Sequence, residues 1–333
     1  EEVDRAGWVE YLAPRSALAV GPLLDCLTCP NERDSQNALA ALDFLGRSPG
    51  SEGSGPGDIA GKLVRAFPRL DPTVQAGVLR LASGWVSEGD TDEDLRTACC
   101  RLLEEAAVNQ AVDVHTAGLV LADLLAQRED SEGIAAARTM IQTGLRSSSA
   151  EVRLESVRLS VLPNVQLVDQ VVGLLRDPEV EVRRSAIIAV GPENDSVSED
   201  VLLPGLHDSD AEVRHNTEAA LKSRGLRPKH LEMGRMLSHP QAKARLQVLD
   251  LIRDLLDGGQ EEVELDPGVW LRRLSHDDSP AIRAAALRLI SQQSVVDLND
   301  RLDQMARSDP SPTVAQLAHF YLRGKRSPEP QPR

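Results

Sequence analysis

Residues 177–186 read DPEVEVRRSA, and this phrase recurs three times further along the chain. It returns at residues 208–217 as DSDAEVRHNT, at 277–286 as DDSPAIRAAA and, in a weaker form, at 309–318 as DPSPTVAQLA. A sequence that repeats at a nearly fixed period is typical of stacked structural repeats and not of a single closed domain. The stretch therefore predicts a repeat protein, with an extended surface in place of a deep cleft.

The same unit can be followed along most of the chain by aligning each copy on the position of Arg183. Successive anchor positions lie 30 to 40 residues apart, a length that fits one helical hairpin. The first three anchors rest on the apolar pattern alone, since the Asp and Arg of the phrase are absent there. The anchors are Gln36, Gln75, His115, Arg153, Arg183, Arg214, Arg245, Arg283 and Ala315.

Each unit reads as a helix, a short turn and a second helix. In the clearest copy, residues 165–175 carry apolar side chains at helical spacing, and Pro178 suits the first turn of the next helix. An apolar stripe follows, and Gly191 with Pro192 ends the helix. Since no stretch shows sustained alternation with a period of two, we predict an all-α fold, an α-solenoid of about nine stacked helical hairpins. The stripe consists of Val182, Ala186, Ile187 and Val190.

These residues resemble the HEAT repeat family. In that family, the Asp of the turn within a repeat and the Arg six residues later form a ladder between neighbouring repeats. The resemblance implies that His239, which replaces the Asp before Arg245, and Ala315, which replaces the Arg after Asp309, interrupt the ladder near the C-terminus. The spacings of 30 and 31 residues also resemble the HEAT-like repeats of phycobilin lyases. The implied ladder residues are Asp177, Arg183, Asp208, Arg214, Arg245, Asp277 and Arg283.

The repeat motif is clear in the C-terminal part of the chain and weak in the N-terminal part, and this difference suggests how the chain is organised. We expect divergent helical repeats over residues 1–145, HEAT-like repeats over 146–324 and a disordered tail over 325–333. Residues 46–57, which are rich in glycine and serine, predict a flexible loop between helices, and an acidic loop is expected at 257–266.

Charge and composition weigh against several classes of function. The 333 residues carry 52 acidic and 37 basic side chains, a net charge of −15, and residues 1–145 alone hold 23 acidic and 12 basic residues. Nucleic acid is disfavoured as a partner, because affinity for it rests on cationic contacts with phosphate. The three Trp, two Tyr and three Phe residues are too few to favour base stacking or aromatic-lined cofactor sites.

The sequence also bears on localisation and on the oligomeric state. The sequence contains no run of about 18 apolar residues that would predict a membrane span. No membrane contact by this segment is therefore expected. The first residue is Glu1 and not Met, and we expect either a mature form or the exported part of a signal-anchored bacterial protein. The chain is expected to be a monomer.

Cys26 and Cys29 form the sharpest chemical motif in the sequence. Two thiols three residues apart on a helix share a face, so a redox pair or half of a zinc site are the functional interpretations. A zinc site needs two further ligands, and Cys99 and Cys100 lie almost two repeats away, at about 20 Å for hairpins that stack about 10 Å apart. A buried or incidental role is favoured, with a disulfide and a metal site as the alternatives.

Three histidines also raise the question of a metal site. His207, His239 and His276 occupy nearly equivalent turns of successive repeats. Stacking at about 10 Å per repeat would keep neighbours too far apart for shared coordination at about 2 Å. Local capping or pairing of these side chains is therefore expected.

Residues 88–94 resemble a calcium-binding loop at first sight, but they lack the Gly at its sixth position and the later bidentate Glu. A capping box at the start of a helix, made by Thr91 and Asp94, is favoured instead. No metal, no cofactor and no catalytic residue are predicted for this chain.

The repeats occur without a nucleophile elbow, a phosphate-binding loop or a metalloprotease motif. We therefore predict a non-enzymatic scaffold that binds another protein on the concave face of the solenoid. A bilin lyase or chaperone of the same repeat type is the first alternative, and a DNA-binding HEAT-like module, such as the alkylbase glycosylases, is the second. In HEAT-like solenoids the second helices line the concave face. The residues that follow the anchors, Leu154, Arg184, His215 and Leu246, are the candidate partner-binding residues, with Ala284 and Gln316 at the same position.

Overall fold

The computed structural model describes residues 16–47, 55–88, 92–128, 130–192, 197–257, 267–292 and 298–326. Within these ranges the chain contains no β-strand and forms nine helical hairpins in chain order. The predicted fold class and the expected number of hairpins are confirmed. Most of the expected tail, and most of the two loops expected at 46–57 and 257–266, lie outside the described residues.

The chain divides into two compact units, of which unit 1 covers Glu1–Val197 and unit 2 covers Ser198–Arg333. Unit 1 contains the first five hairpins, in which α9 is extended by a short 3-10 segment to Arg176. Its helices are α1 (Ser16–Cys26), α2 (Glu32–Arg47), α3 (Pro56–Ala66), α4 (Pro72–Glu88), α5 (Glu93–Ala107), α6 (Val112–Ala126), α7 (Ser131–Gly144), α8 (Ala150–Ser160), α9 (Val168–Val171) and α10 (Val180–Val190).

Unit 2 contains the remaining four hairpins, in which α11 is extended by a 3-10 segment to His207. Its helices are α11 (Glu199–Leu202), α12 (Ala211–Ser223), α13 (Pro228–Leu237), α14 (Ala242–Asp257), α15 (Pro267–Leu274), α16 (Pro280–Gln292), α17 (Asn299–Ser308) and α18 (Pro312–Arg326).

The hairpins of each unit stack so that equivalent helices lie side by side. In unit 1 the second helices α4, α6, α8 and α10 each contact the next, and the first helices α3, α5 and α7 do the same. In unit 2, α14 contacts α16, and α16 contacts α18. This layering of equivalent helices is the arrangement of an α-solenoid, in which each repeat buries its apolar face against its neighbours.

Each unit buries a core of its own, made mostly of Leu, Val, Ile and Ala side chains. Phe67 is the largest fully buried side chain, and the apolar stripe predicted along residues 182–190 is buried as expected. The helices are apolar on one side and polar on the other. None of those that the structure describes is long and apolar enough to cross a membrane.

The boundaries of the clearest repeat differ from the sequence expectation at two points. The first helix begins at Val168, because residues before it form a turn that packs Val165 into the core. Pro178 lies outside the second helix, since Glu179 is the cap residue before Val180. The main-chain N–H of Glu179 donates to the Asp177 carboxylate at 2.9 Å. Pro178 sits in the middle of this turn, where its fixed φ fits and no N–H is needed.

In two hairpins, a glycine of the first helical segment lies against a hydroxyl side chain of the second helix. A methyl group at Gly205 would overlap the side chain of Thr217, which is fully buried and donates to the Val213 carbonyl oxygen at 2.7 Å. Gly144 and Ser156 occupy the equivalent positions in unit 1. At both positions the absence of a Cβ sets how closely the two helices approach.

We predict that Gly205→Ala lowers the free energy of unfolding by about 1–3 kcal/mol, because rotation of a β-branched neighbour cannot clear the overlap. Gly61→Ala is the control, since Gly61 lies in a helix and an added methyl would meet nothing within 4 Å. That change should raise stability by about 0.5–1 kcal/mol. Urea unfolding followed by circular dichroism measures both, and Thr217→Ala should restore the loss. A neutral Gly205→Ala would show that the helices can separate without cost.

Candidate functional site

Arginine side chains join successive repeats through the turn of the following hairpin. Arg153 donates from Nε and Nη2 to the two carboxylate oxygens of Asp177 at 2.7 and 2.8 Å. Arg245 reaches Asp277 in the same way at 2.6 and 3.0 Å. Each pair is bidentate, the geometry in which a guanidinium and a carboxylate bind most strongly. These rungs connect residues 24 and 32 positions apart in the chain.

The same guanidinium also closes the turn of its own repeat. Nη1 of Arg183 donates to the carbonyl oxygens of Asp177 and Pro178 at 2.8 and 3.1 Å. Arg153, Arg214, Arg245 and Arg283 make the equivalent pair of bonds to the residues six and five positions earlier. Five of the anchor positions therefore hold a guanidinium that fixes its own turn.

The structure changes which residues share a rung. The motif places Asp277 and Arg283 six residues apart, but Arg283 meets only the main-chain oxygen of Asp277, while its Nε and Nη2 donate to Asp309 at 2.9 and 2.8 Å. The carboxylate of each rung thus comes from the next repeat. For this reason Arg245 keeps its rung although His239 replaces the Asp of its own turn. The interruption falls instead on the preceding repeat, because His239 stands where the carboxylate for Arg214 would be, and the described bonds of the Arg214 guanidinium are those to its own turn.

The rung carboxylates of Asp177 and Asp309 are ionised in spite of their burial. Only 10% of the Arg153 side chain and 3% of the Asp177 side chain are exposed. Burial opposes ionisation of Asp177, but the hydrogen bonds from Arg153 and from the N–H of Glu179 outweigh it, and its pKa lies below the usual 3.8. The pKa of Asp309 is lowered in the same way, against the effect of burial. A buried pair of this kind holds two turns together because each charge depends on the other.

The N-terminal repeats use a neutral rung that the sequence motif did not reveal. Asn109 lies six residues before His115, at the position of the ladder Asp, and donates to the side-chain oxygen of Gln75 at 2.6 Å. Gln75 in turn donates to the carbonyl oxygen of Phe67 at 2.8 Å. Gln75, an anchor aligned by pattern alone, therefore forms a rung with amides in place of charges, whereas the anchor Gln36 is exposed and donates to Glu32 of its own helix.

His115 occupies the ladder position of the third hairpin without forming a rung. Only 3% of the residue is exposed, and neither ring nitrogen hydrogen-bonds to any residue that the structure describes. Burial lowers the pKa of the imidazole below its usual 6.5, and the main chain of Asn109 opposes this only in part, without a bond of normal geometry. The side chain is therefore held neutral in the folded protein.

The cysteines do not gather into a single group. All four are free thiols, with Cys29 exposed, Cys26 half-buried and both Cys99 and Cys100 buried in α5. Burial raises the pKa of Cys99 to about 12 and that of Cys100 to about 11. The buried pair is therefore unreactive at neutral pH, since the thiolate is the nucleophile.

The histidine turns lie closer together than their spacing suggested. The rings of His207 and His239 are 5.1 Å apart between centroids, in an edge-to-face arrangement, so the expected wide separation is wrong for this pair. His207 hydrogen-bonds to the Arg235 carbonyl oxygen at 2.7 Å, and His276 to that of Arg272 at 2.8 Å. Across the described part of the chain, no group of three or more His, Cys, Asp or Glu side chains is placed to hold a metal ion.

The acidic segment before α5 caps that helix through a different residue from the one expected. Asp92 is the cap residue, and its carboxylate accepts from the N–H of Leu95 at 2.7 Å. Asp94 lies in the first turn, where a negative charge suits the helix dipole. Thr91 lies outside the described residues.

The second helices of unit 1 share an exposed surface. The position five residues after each anchor holds Arg80, Val120, Arg158 and Ile188 on four neighbouring helices, and all four are exposed. Val120 is 52% exposed and Ile188 64%, and the cations Arg80 and Arg158 alternate with them along this face. We call these four residues the exposed row.

Two of the candidate partner-binding residues flank this row, and the other two lie in unit 2. Leu154 and Arg184 are half-buried, one helical turn before Arg158 and Ile188 respectively, and therefore on the same helix faces. His215 is exposed on α12. Leu246 packs partly buried against the core of unit 2, which favours a structural role for it.

Comparison with solved structures finds similarity to helical repeat proteins. No family model and no curated protein matches it. A designed armadillo repeat protein in complex with the peptide (KR)4 is 16% identical, covers 80% of this chain and 96% of its own, and has a TM-score of 0.23. Microtubule polymerases with tumor overexpressed gene domain arrays, described for tubulin recruitment, give 11% identity, coverage of 95% and 86%, and a TM-score of 0.27.

A further set of solved structures, computationally designed armadillo repeat proteins for modular peptide recognition, gives 13% identity, coverage of 91% and 98%, and a TM-score of 0.25. The stacked hairpins and the rungs between their turns are the features of a HEAT- or armadillo-like helical repeat, as the sequence resemblance implies.

We predict that Arg153→Ala lowers the free energy of unfolding by about 3–5 kcal/mol, because it leaves the buried Asp177 carboxylate without its cation. Arg158→Ala removes an equal charge from the same helix. Since 68% of the Arg158 side chain is exposed and its ion pair is with Glu155, that change should cost less than about 1 kcal/mol. Chemical denaturation at neutral pH compares the two variants. Equal losses would contradict a structural role for the rung.

A second prediction concerns acid. Because the folded state lowers the pKa of His115, the unfolded chain binds the extra proton first, and stability should fall as pH drops below about 6.5. The slope for one group is at most about 1.4 kcal/mol per pH unit. Between pH 7.5 and 5, the free energy of unfolding measured with urea should change less with pH for His115→Leu than for the wild type. The rungs of Asp177 and Asp309 affect the pH dependence of stability in a more acidic range, because their stabilisation is lost only as pH falls below about 3.8. Identical profiles above pH 5 would refute the role of His115.

Proposed function

We propose that this protein is a non-enzymatic scaffold that binds another protein through the face formed by the second helices of unit 1. The observation that supports this is the exposed row, in which apolar and cationic side chains alternate at one position of four successive repeats. Leaving Val120 and Ile188 in water is unfavourable unless a partner covers them. Leu154 and Arg184 extend the same surface by one helical turn.

The row also suggests what a partner would carry. Neighbouring helices lie about 10 Å apart, so the row presents one feature per repeat at about that interval. A complementary surface would place acidic side chains opposite Arg80 and Arg158 and apolar ones between them, since complementary charges fix the register of an interface. The monomeric state and the absence of nucleic-acid binding remain part of this proposal.

A matched pair of double variants tests the proposal. Val120→Glu with Ile188→Glu places charge in the row, whereas Leu18→Glu with Val108→Glu makes the same changes at exposed apolar sites of unit 1 outside it. With the chain as bait in a lysate of its source cells, proteins retained by the wild type should drop at least about tenfold for the row variant, because central contacts dominate binding energy. The control should retain them.

Thermal unfolding should be nearly unchanged for both double variants, since all four positions are exposed. Equal capture by the wild type and the row variant would exclude this face as the site. Equal losses in the row variant and in the control would show an effect of net charge and would also count against the proposal.

A further inference from the structure

A cavity of about 480 Å³ lies between the last two repeats of unit 2. The turn before α16, the turn before α18 and one side of α17 form its walls. The first residue of α16 and the residue before α18 also line it, so the partial positive charge of two helix N-termini is directed to this place. The polar side chains used below are Asp278, Arg283, Arg301, Gln304 and Asp309.

Arg301 is the most unusual of these residues. It is only 8% exposed, although it is not a ladder residue. Its Nε and Nη2 donate to the side-chain and main-chain oxygens of Ser275 at 2.8 and 2.6 Å, and its Nη1 donates to Gln304 at 2.8 Å. All three acceptors are neutral. A guanidinium has five N–H donors, so one on each terminal nitrogen is left for another acceptor.

The charges around Arg301 leave it incompletely compensated. Burial lowers the pKa of its guanidinium, and the cations Arg272 and Arg283 act in the same direction, whereas Asp309 alone opposes them. Asp309 is already bound in a bidentate pair by Arg283. Buried charges are normally paired, and at each ladder rung the pairing is direct. Arg301 lines the cavity, and no carboxylate of the described residues is in contact with it.

We propose that this cavity binds an oxyanion, the carboxylate or phosphate group of a ligand, on the guanidinium of Arg301. The two remaining N–H groups, one on each terminal nitrogen, match the forked geometry that a guanidinium offers to such groups. Asp278 lines the cavity as an exposed carboxylate and limits the affinity. The site does not depend on the proposed function, because its residues belong to unit 2 and those of the exposed row belong to unit 1.

The test uses the full chain with sodium phosphate and sodium acetate as probes, each titrated at constant ionic strength. The Nε–H resonance of Arg301 and the amides of α17 are followed by nuclear magnetic resonance. A saturable shift is expected for at least one probe, and the probe that binds identifies the ligand as a phosphate or a carboxylate. Arg301→Gln should weaken binding at least about tenfold.

Arg307→Gln is the matched control, because it removes the same charge from the same helix at a side chain that is 78% exposed. It should leave the affinity unchanged. Asp278→Asn should strengthen binding several-fold by removing a like charge, and it provides a test if Arg301→Gln does not fold. Absence of saturation for both probes in the wild type and in Asp278→Asn overturns the proposal. An equal weakening by Arg307→Gln overturns it too.

Discussion

The bidentate contact between one arginine and the carboxylate of the next turn is the interaction on which the stack depends. A single guanidinium in Arg153, Arg245 or Arg283 holds the carbonyl groups of its own turn and the Asp of the following one. Since both charges are buried, neither can move without leaving the other uncompensated. The contact therefore fixes the distance and the register between hairpins, and the apolar core packs on that frame.

The rung tolerates chemical variation as long as hydrogen bonds are satisfied. Gln75 and Asn109 make a neutral version of it, with a smaller desolvation cost and a weaker bond than an ion pair. His115 occupies the ladder position without forming a rung, so the third hairpin relies on packing against its neighbours. The two charged rungs of unit 2 thus lie in a part of the molecule that is stabilised differently from the N-terminal repeats.

The ladder occupies one face of the second helices and leaves other positions free to differ. The residue five places after each of the last four anchors of unit 1 is exposed to water, and it is Arg, Val, Arg and Ile in turn. On the same helix, one face thus carries the ladder residue that stabilises the stack, and another face carries the exposed residue that is available to a partner. Arg301 breaks the pattern, since it is buried like a ladder arginine but bonds only to neutral groups.

The sequence by itself determined the fold class and the number of hairpins, because helical periodicity and the recurring Asp and Arg are local features of the chain. It also gave Gln75 and His115 as anchors, but it did not show that Asn109, six residues before His115, would bond to Gln75. Only the tertiary structure decided that Arg153, Arg245 and Arg283 pair with the Asp of the next repeat. It also decided that the rings of His207 and His239 lie close together and that Arg301 lines a cavity. Those outcomes depend on how far apart two hairpins stack and on which side chains are then buried, and packing between distant segments sets both.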